Sequence, residues 1–150
     1  MKPSARPPTG ELISAFHDPI AVAAWTRAAT SRADYLAAST TRMFELAGIA
    51  TGHRVLVVGA GAGQEALEIA RRVGSTGEVV ATDVSAAMVA EAERLVAAAK
   101  ITNVRCRVMD AQQLEFSPTT FDAVVSRNAL MFIPELMLGL AEIKRVLKLG

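Results

Sequence analysis

An alternating run of small residues, Gly59-Ala60-Gly61-Ala62-Gly63, is the first candidate binding element of the chain. The run follows a short apolar stretch and opens a helical pattern, so the main chain can turn tightly there and approach a bound nucleoside closely. Asp83 lies twenty residues after Gly63, where a strand is expected to end. Its carboxylate can accept hydrogen bonds from both hydroxyls of a ribose. These features predict a nucleoside site; a ligand-free turn and a helix-capping aspartate are the alternatives.

Two classes of cofactor fit this arrangement of glycines and acid. A dinucleotide fingerprint counted from Gly59 requires Gly or Ala at the position of Gln64, so a dehydrogenase fits poorly. The same fingerprint counted from Gly61 has matching residue types, but it would begin too far inside the predicted helix to form the turn. An NAD(P)-binding oxidoreductase therefore stays as the alternative to a site for a smaller nucleoside.

The elements that must position these residues alternate in type from residue 53 onward. Short β-branched runs at 54–58, 78–82, 104–109 and 121–126 are separated by helical patterns, which predicts an α/β fold with parallel strands and right-handed crossovers. The first and fourth runs are continuously apolar, as expected for central strands. Arg105 and Arg107 alternate with apolar residues in the third run, which favours an edge strand.

The two ends of the sequence carry separate predictions. Residues 1–10 are expected to be a flexible tail and residues 11–50 an N-terminal helical segment, with helices near 19–30 and 31–47 and a left-handed stop at Gly48. A helix is predicted at 135–147, just before the point where a turn into another strand is expected. We therefore expect later strands to be missing, and either a truncated chain or a homodimer formed through the exposed sheet edge.

Composition narrows the possible partners. The 150 residues are 51% hydrophobic and 21% charged, which fits a single globular domain. A net charge of +1 predicts no nucleic-acid or membrane partner, and no stretch is apolar enough to span a bilayer. A single cysteine, Cys106, favours the cytoplasm and a plain strand role. We predict no metal site at His17 or His53.

Five ordered segments, 55–67, 80–88, 108–116, 121–126 and 142–150, together resemble the class I S-adenosylmethionine-dependent methyltransferases. The resemblance is to the small-molecule branch that includes the ubiquinone and arsenite methylation enzymes, and it spans about residues 51–150. It implies a Rossmann-like three-layer sandwich with strand order 3-2-1-4. It also implies that S-adenosylmethionine is the cofactor, S-adenosylhomocysteine the product and a small molecule the acceptor.

The resemblance also implies a role for each residue of the cofactor site. The glycine loop would line the methionine and ribose, Asp83 would hold the ribose hydroxyls, and Asp110 would accept from the adenine amino group. Apolar residues would enclose the adenine ring, with Leu114 on one side. The complete set of expected cofactor-binding residues is Gly59, Ala60, Gly61, Gly63, Asp83, Val84, Met88, Asp110, Ala111 and Arg127.

The acceptor side is less well defined. Val57 stands where many relatives have an acid, and no histidine follows the fourth strand, so no catalytic residue is assigned. Arg127 and Asn128 are expected to meet cofactor or substrate, or merely to open a helix. The N-terminal helices, through Trp25, Arg27 and Tyr35, are expected to cover the cofactor as a lid or to serve ordinary packing. A truncated cofactor-binding module without turnover is a further alternative.

Overall fold

The computed structural model describes residues 16–149, so the predicted tail 1–10 and residues 11–15 lie outside the described residues. Four parallel strands form one sheet: β1 (Arg54–Val58), β2 (Glu78–Asp83), β3 (Val104–Val108) and β4 (Ala123–Val125). The order across the sheet is β3-β2-β1-β4, which confirms the predicted order.

Three helices precede the sheet where two were predicted: α1 (Pro19–Arg27), α2 (Ala29–Tyr35) and α3 (Ala37–Leu46). The chain breaks its helical path for one residue at Ala28 and again at Leu36. Neither break contains proline or glycine. The helical pattern in the sequence therefore continues across both breaks and does not reveal them. The predicted stop at Gly48 is confirmed, with φ +62° and its amide bonded to the Glu45 carbonyl at 3.0 Å.

The remaining helices are α4 (Gln64–Val73), α5 (Ala86–Ala98) and α6 (Leu136–Val146), with a 3-10 turn at Leu130–Phe132. The helix predicted at 135–147 is present as α6, with each end within one residue of its predicted bound. Ser85 caps α5, because its side chain accepts a hydrogen bond from the Met88 amide at 3.3 Å.

Alternate residues of the strands pack on opposite faces of the sheet. On one face, β1 and β2 residues form a buried core with α4 and α3: Val55, Val57, Val79, Ala81, Ala66, Ile69 and Phe44. On the other face the buried core includes α6: Leu56, Val58, Val80, Phe121 and Val146. Helices thus cover both faces, which gives the three-layer arrangement that was predicted.

The two outer strands differ from each other. Arg105 and Arg107 of β3 are exposed, which confirms the predicted edge. In contrast, β4 was predicted to be central but is the outer strand on the other side of the four. Beyond it lies a single parallel bridge from Phe121 to Leu147. The residues of β4 are apolar because helices cover both faces of the strand, and not because other strands flank it on both sides. Within residues 16–149, no helix has the length and apolarity to cross a membrane.

Candidate cofactor site

A cavity opens at the carboxyl ends of all four strands, where loops leave the sheet. Ligands of open α/β sheets bind at this edge. The structure brings most of the predicted site residues to its wall: Gly59, Gly61, Asp83, Val84, Met88, Asp110, Ala111 and Arg127. Residues from four separate loops, distant in sequence, therefore face one space.

The glycine loop exposes its main chain to this cavity. Gly59 has φ +68°, and a Cβ at this position would lie 2.1 Å from the Ala129 Cβ. Only glycine fits such a site, because both the backbone conformation and the close neighbour exclude a side chain. Gly61 also has a positive φ of +54° and lines the cavity. A ligand can consequently reach the loop without meeting a side chain.

Three residues expected at the site do not line the main cavity. Gly63 faces α5, where a Cβ would lie 2.9 Å from the Ala92 Cβ, so it permits close helix packing. Ala60 is buried and lines a smaller neighbouring recess rather than the main cavity. Leu114 belongs to the core beneath α6 and does not reach the cavity wall.

Asp83 joins the glycine loop to the turn after β2. Its Oδ2 accepts from the Gly61 amide at 2.9 Å and its Oδ1 accepts from the Ser85 amide at 2.9 Å. Burial raises the pKa of this carboxyl, and the Ser85 and Gly61 amides oppose the shift. A carboxylate has further lone pairs beyond these two bonds, so Asp83 can still accept hydrogen bonds from a ligand.

Asp110 follows β3 and is exposed at the opposite side of the cavity. It accepts hydrogen bonds from the Gln112 amide at 2.8 Å and from the Gln112 side-chain nitrogen at 3.1 Å. The Gln112 side-chain oxygen in turn accepts from the Glu135 amide at 3.0 Å. Gln112, which sequence analysis did not single out, therefore connects Asp110 to the start of α6.

An aromatic group forms another wall of the cavity. Phe16 packs edge-on against Trp25 with 5.7 Å between ring centroids, and against Phe132 at 5.2 Å. Ser85 Oγ donates to the Phe16 carbonyl at 2.5 Å, which ties this segment to the turn after β2. Sequence analysis identified Trp25 but missed both phenylalanines, since nothing in their spacing relates them. Arg27 and Tyr35 are exposed and lie outside this wall.

Arg127 lies at the end of β4 and is largely buried. It forms an ion pair with Glu65 of α4, their side chains being only 14% and 12% exposed, and it donates to Thr40 Oγ1 of α3. Burial lowers the pKa of Arg127, and the nearby positive charge of Arg32 lowers it further. Glu65 was not predicted; an acid in the first turn after the glycine loop was the available signal.

The remaining titratable candidates from the sequence are the histidines and Cys106. In residues 16–149 no group of three or more His, Cys, Asp or Glu side chains is arranged to hold a metal ion. His53 accepts from the Ala50 amide at 3.3 Å, which is a local turn contact. Burial and then the charge of Glu93 raise the pKa of the Cys106 thiol, which opposes formation of a nucleophilic thiolate.

The residues present fit an adenosine-bearing ligand. Bare main chain at Gly59 and Gly61 permits close approach, Asp83 supplies hydrogen-bond acceptors, and Val84 and Met88 provide an apolar surface beside it. A mostly apolar cavity with a few polar groups at fixed positions is typical of cofactor sites.

Comparisons with known proteins agree with this arrangement. Residues 55–150 match the family model described as a methyltransferase domain. The chain is 36% identical to the ubiquinone/menaquinone biosynthesis C-methyltransferase UbiE of Cellvibrio japonicus over 107 residues, covering 71% of this chain and 43% of that protein. It is 31% identical to the aklanonic acid methyltransferase DauC of a Streptomyces species over 109 residues, covering 73% and 50%. The chain thus spans at most half the length of these relatives.

A solved structure shows the same likeness in three dimensions. The arsenic(III) S-adenosylmethionine methyltransferase CrArsM of Chlamydomonas reinhardtii superimposes with a TM-score of 0.64 and 31% identity, covering 69% of this chain and 38% of that one. These similarities favour a methyltransferase over the nicotinamide dehydrogenase that the glycine loop alone also allowed. The chain belongs to the class I S-adenosylmethionine-dependent methyltransferases.

Proposed function

We propose that this chain binds S-adenosylmethionine in the cavity and positions it for methyl transfer to a small-molecule acceptor. One observation carries the proposal: the half-buried carboxylate of Asp83 faces the same cavity as the bare main chain of Gly59 and Gly61. The ribose of an adenosine suits this arrangement, because its hydroxyls can donate hydrogen bonds to the carboxylate. The glycines let the ligand approach the main chain closely.

The adenosine half of the ligand would lie between β2 and β3. Asp83 accepts from the ribose hydroxyls, and Asp110 accepts from the adenine amino group in place of or alongside Gln112. Val84 and Met88 on one side and Ala111 on the other enclose the purine ring. In such a site the apolar walls hold the purine ring, and a few fixed acceptors orient it.

The acceptor would lie toward the aromatic wall. When bound, S-adenosylmethionine supplies a methyl group already activated by its sulfonium, so this chain's residues need mainly to orient the acceptor and exclude water. Phe16, Trp25 and Phe132 suit an apolar organic acceptor. The ionisable residues in the described lining are Asp83, Asp110 and Arg127, and we assign none of them as a general base. The names of UbiE and DauC also point to small organic acceptors.

Calorimetric titration with S-adenosylhomocysteine tests the proposal. We expect the wild type to bind and Asp83→Ala to bind on the order of 10- to 100-fold more weakly, because ribose hydroxyls lose a charged acceptor. Asp34→Ala removes an exposed acid from α2 and is expected to leave the affinity unchanged. Binding of NAD without binding of S-adenosylhomocysteine would reverse the assignment to a dehydrogenase.

The alternative of a binding module without turnover needs a separate assay. Methyl transfer to candidate small organic acceptors is measured for this chain beside a longer form of the protein. Turnover by this chain supports the enzyme. Binding by both forms with turnover only by the longer one supports the binding module.

A further inference from the structure

A small recess opens from the main cavity beside the glycine loop. Trp25, Gly59, Gly61, Arg127 and Asn128 line both spaces, so the recess continues the cavity past the loop. Asp83 and Asp110 line the main cavity but not this recess. A ligand whose adenosine lies at Asp83 would extend its remaining chain toward this recess.

The recess has unbalanced charge. Arg32 of α2 and Arg127 both line it, but the Glu65 carboxylate is paired with Arg127. The described contacts of Arg32 are a hydrogen bond to the Trp25 carbonyl at 3.1 Å and a stack on the Trp25 ring, with 3.8 Å from Cζ to the centroid. Neither contact neutralises its charge. Arg32 is half-buried, and this burial lowers the pKa of its guanidinium.

Trp25 fixes the position of this guanidinium relative to the loop. A Cβ built on Gly61 would lie 3.5 Å from Trp25 Nε1, and Arg32 stacks on the same indole ring. Stacking on an aromatic face orients a planar guanidinium and leaves its edge N–H groups available. One of these groups is used by the Trp25 carbonyl, and the rest are available to a planar anion.

We infer that Arg32 binds the carboxylate of the methionyl group of the cofactor, so that the N-terminal helices supply part of the binding site. The inference rests on the proposed function, because it takes the adenosine to lie at Asp83. A carboxylate matches the fork of a guanidinium and balances the second positive charge of the recess. Glu65 lines the same recess, so its carboxylate, which is paired with Arg127, can also accept from the ligand's ammonium group.

A pair of ligands isolates this contact. S-adenosylhomocysteine carries the carboxylate, whereas 5′-methylthioadenosine lacks the whole amino-acid group but keeps the adenosine. We expect Arg32→Gln to weaken S-adenosylhomocysteine binding on the order of 10- to 100-fold, the usual loss for a charged hydrogen bond. Its affinity for 5′-methylthioadenosine is expected to change by less than about twofold, because that ligand makes no contact with Arg32.

Two further variants complete the titrations. Arg27→Gln removes an exposed guanidinium from α1 and is expected to change neither affinity. Arg32→Lys keeps the charge but not the fork, so it is expected to recover part of the S-adenosylhomocysteine affinity. Equal weakening of both ligands by Arg32→Gln would show a role in holding Trp25 and would overturn the inference. If the wild type binds neither ligand, the proposed function itself fails.

Discussion

The two sides of the cavity are built in different ways. On the strand side, Gly59, Asp83 and Asp110 each lie at or just after the carboxyl end of a strand of one parallel sheet, and the sheet brings them together. On the helix side, Phe16, Trp25 and Arg32 come from the N-terminal segment and are held by ring stacking and isolated hydrogen bonds. The strand side follows from the repeating unit, whereas the helix side depends on individual side chains.

This difference indicates where binding strength and specificity arise. Main-chain amides of Gly61 and Ser85 fix Asp83, so the ribose end is preorganised by backbone geometry. The helix side is joined to the sheet through polar contacts such as the hydrogen bond from Arg127 to Thr40 Oγ1 of α3, and Arg127 is itself held by its buried link to Glu65 of α4. Substitutions that break one side and spare the other separate the two contributions.

The largest expected effect is at that buried link. Glu65→Gln leaves Arg127 charged and without its carboxylate in a site where both side chains are under 15% exposed. We expect a loss of about 3 kcal/mol in the free energy of unfolding, measured by urea denaturation. Glu68→Gln on the exposed face of the same helix is the control and is expected to change little. Glu65→Leu combined with Arg127→Met is expected to regain most of the loss; failure to do so would mean that the charge imbalance is not the cause.

A smaller effect is expected at the glycine loop. Gly59→Ala places a Cβ 2.1 Å from the Ala129 Cβ at a positive φ, so the loop must shift. We expect about 2 kcal/mol of destabilisation together with loss of S-adenosylhomocysteine binding. Gly48→Ala has a similar φ of +62° but nothing within 4 Å, and is expected to cost about 1 kcal/mol and leave binding intact. Equal effects of the two variants on binding would argue against a special role for the loop.

The pH dependence of binding tests the charge state of Asp83. Since burial raises the pKa of Asp83, the folded chain keeps this proton to a higher pH than the unfolded chain does. The group therefore favours folding at low pH, and that contribution is lost as the pH rises through the folded pKa. Ligand binding depends on pH in the opposite direction from folding stability, because the ribose hydroxyls donate to the ionised carboxylate. We expect the calorimetric affinity for S-adenosylhomocysteine to fall as the pH drops through the folded pKa of Asp83 in the wild type, and not in Asp83→Asn.

The smallest effect is expected at the β3 edge, away from both sides of the cavity. Arg105 pairs with Glu78 at 2.9 Å, but the arginine side chain is 77% exposed. Solvent-exposed pairs contribute little, so Arg105→Ala is expected to change the free energy of unfolding by no more than about 0.5 kcal/mol and to leave ligand binding unchanged. A loss of affinity for S-adenosylhomocysteine in this variant would show that the β3 edge influences the cofactor site.

Sequence predicted the strand side far better than the helix side, for a physical reason. Alternating elements dictate a parallel sheet, and a parallel sheet places Gly59, Asp83 and Asp110 at one edge whatever the details. The contacts of Phe16 with Phe132 and of Glu65 with Arg127 join residues far apart in sequence without a repeating pattern. The position of Gly63 against Ala92 was missed for the same reason, since helix packing is decided by tertiary structure.

The decisive experiment is a crystal structure of the chain with S-adenosylhomocysteine. We expect the ribose hydroxyls within hydrogen-bond distance of Asp83, the adenine beside Val84 and Met88, and the amino-acid end in the recess past Gly61. Density for the ligand outside this cavity, or side chains filling the cavity while the ligand is present, would rule out the proposed binding mode.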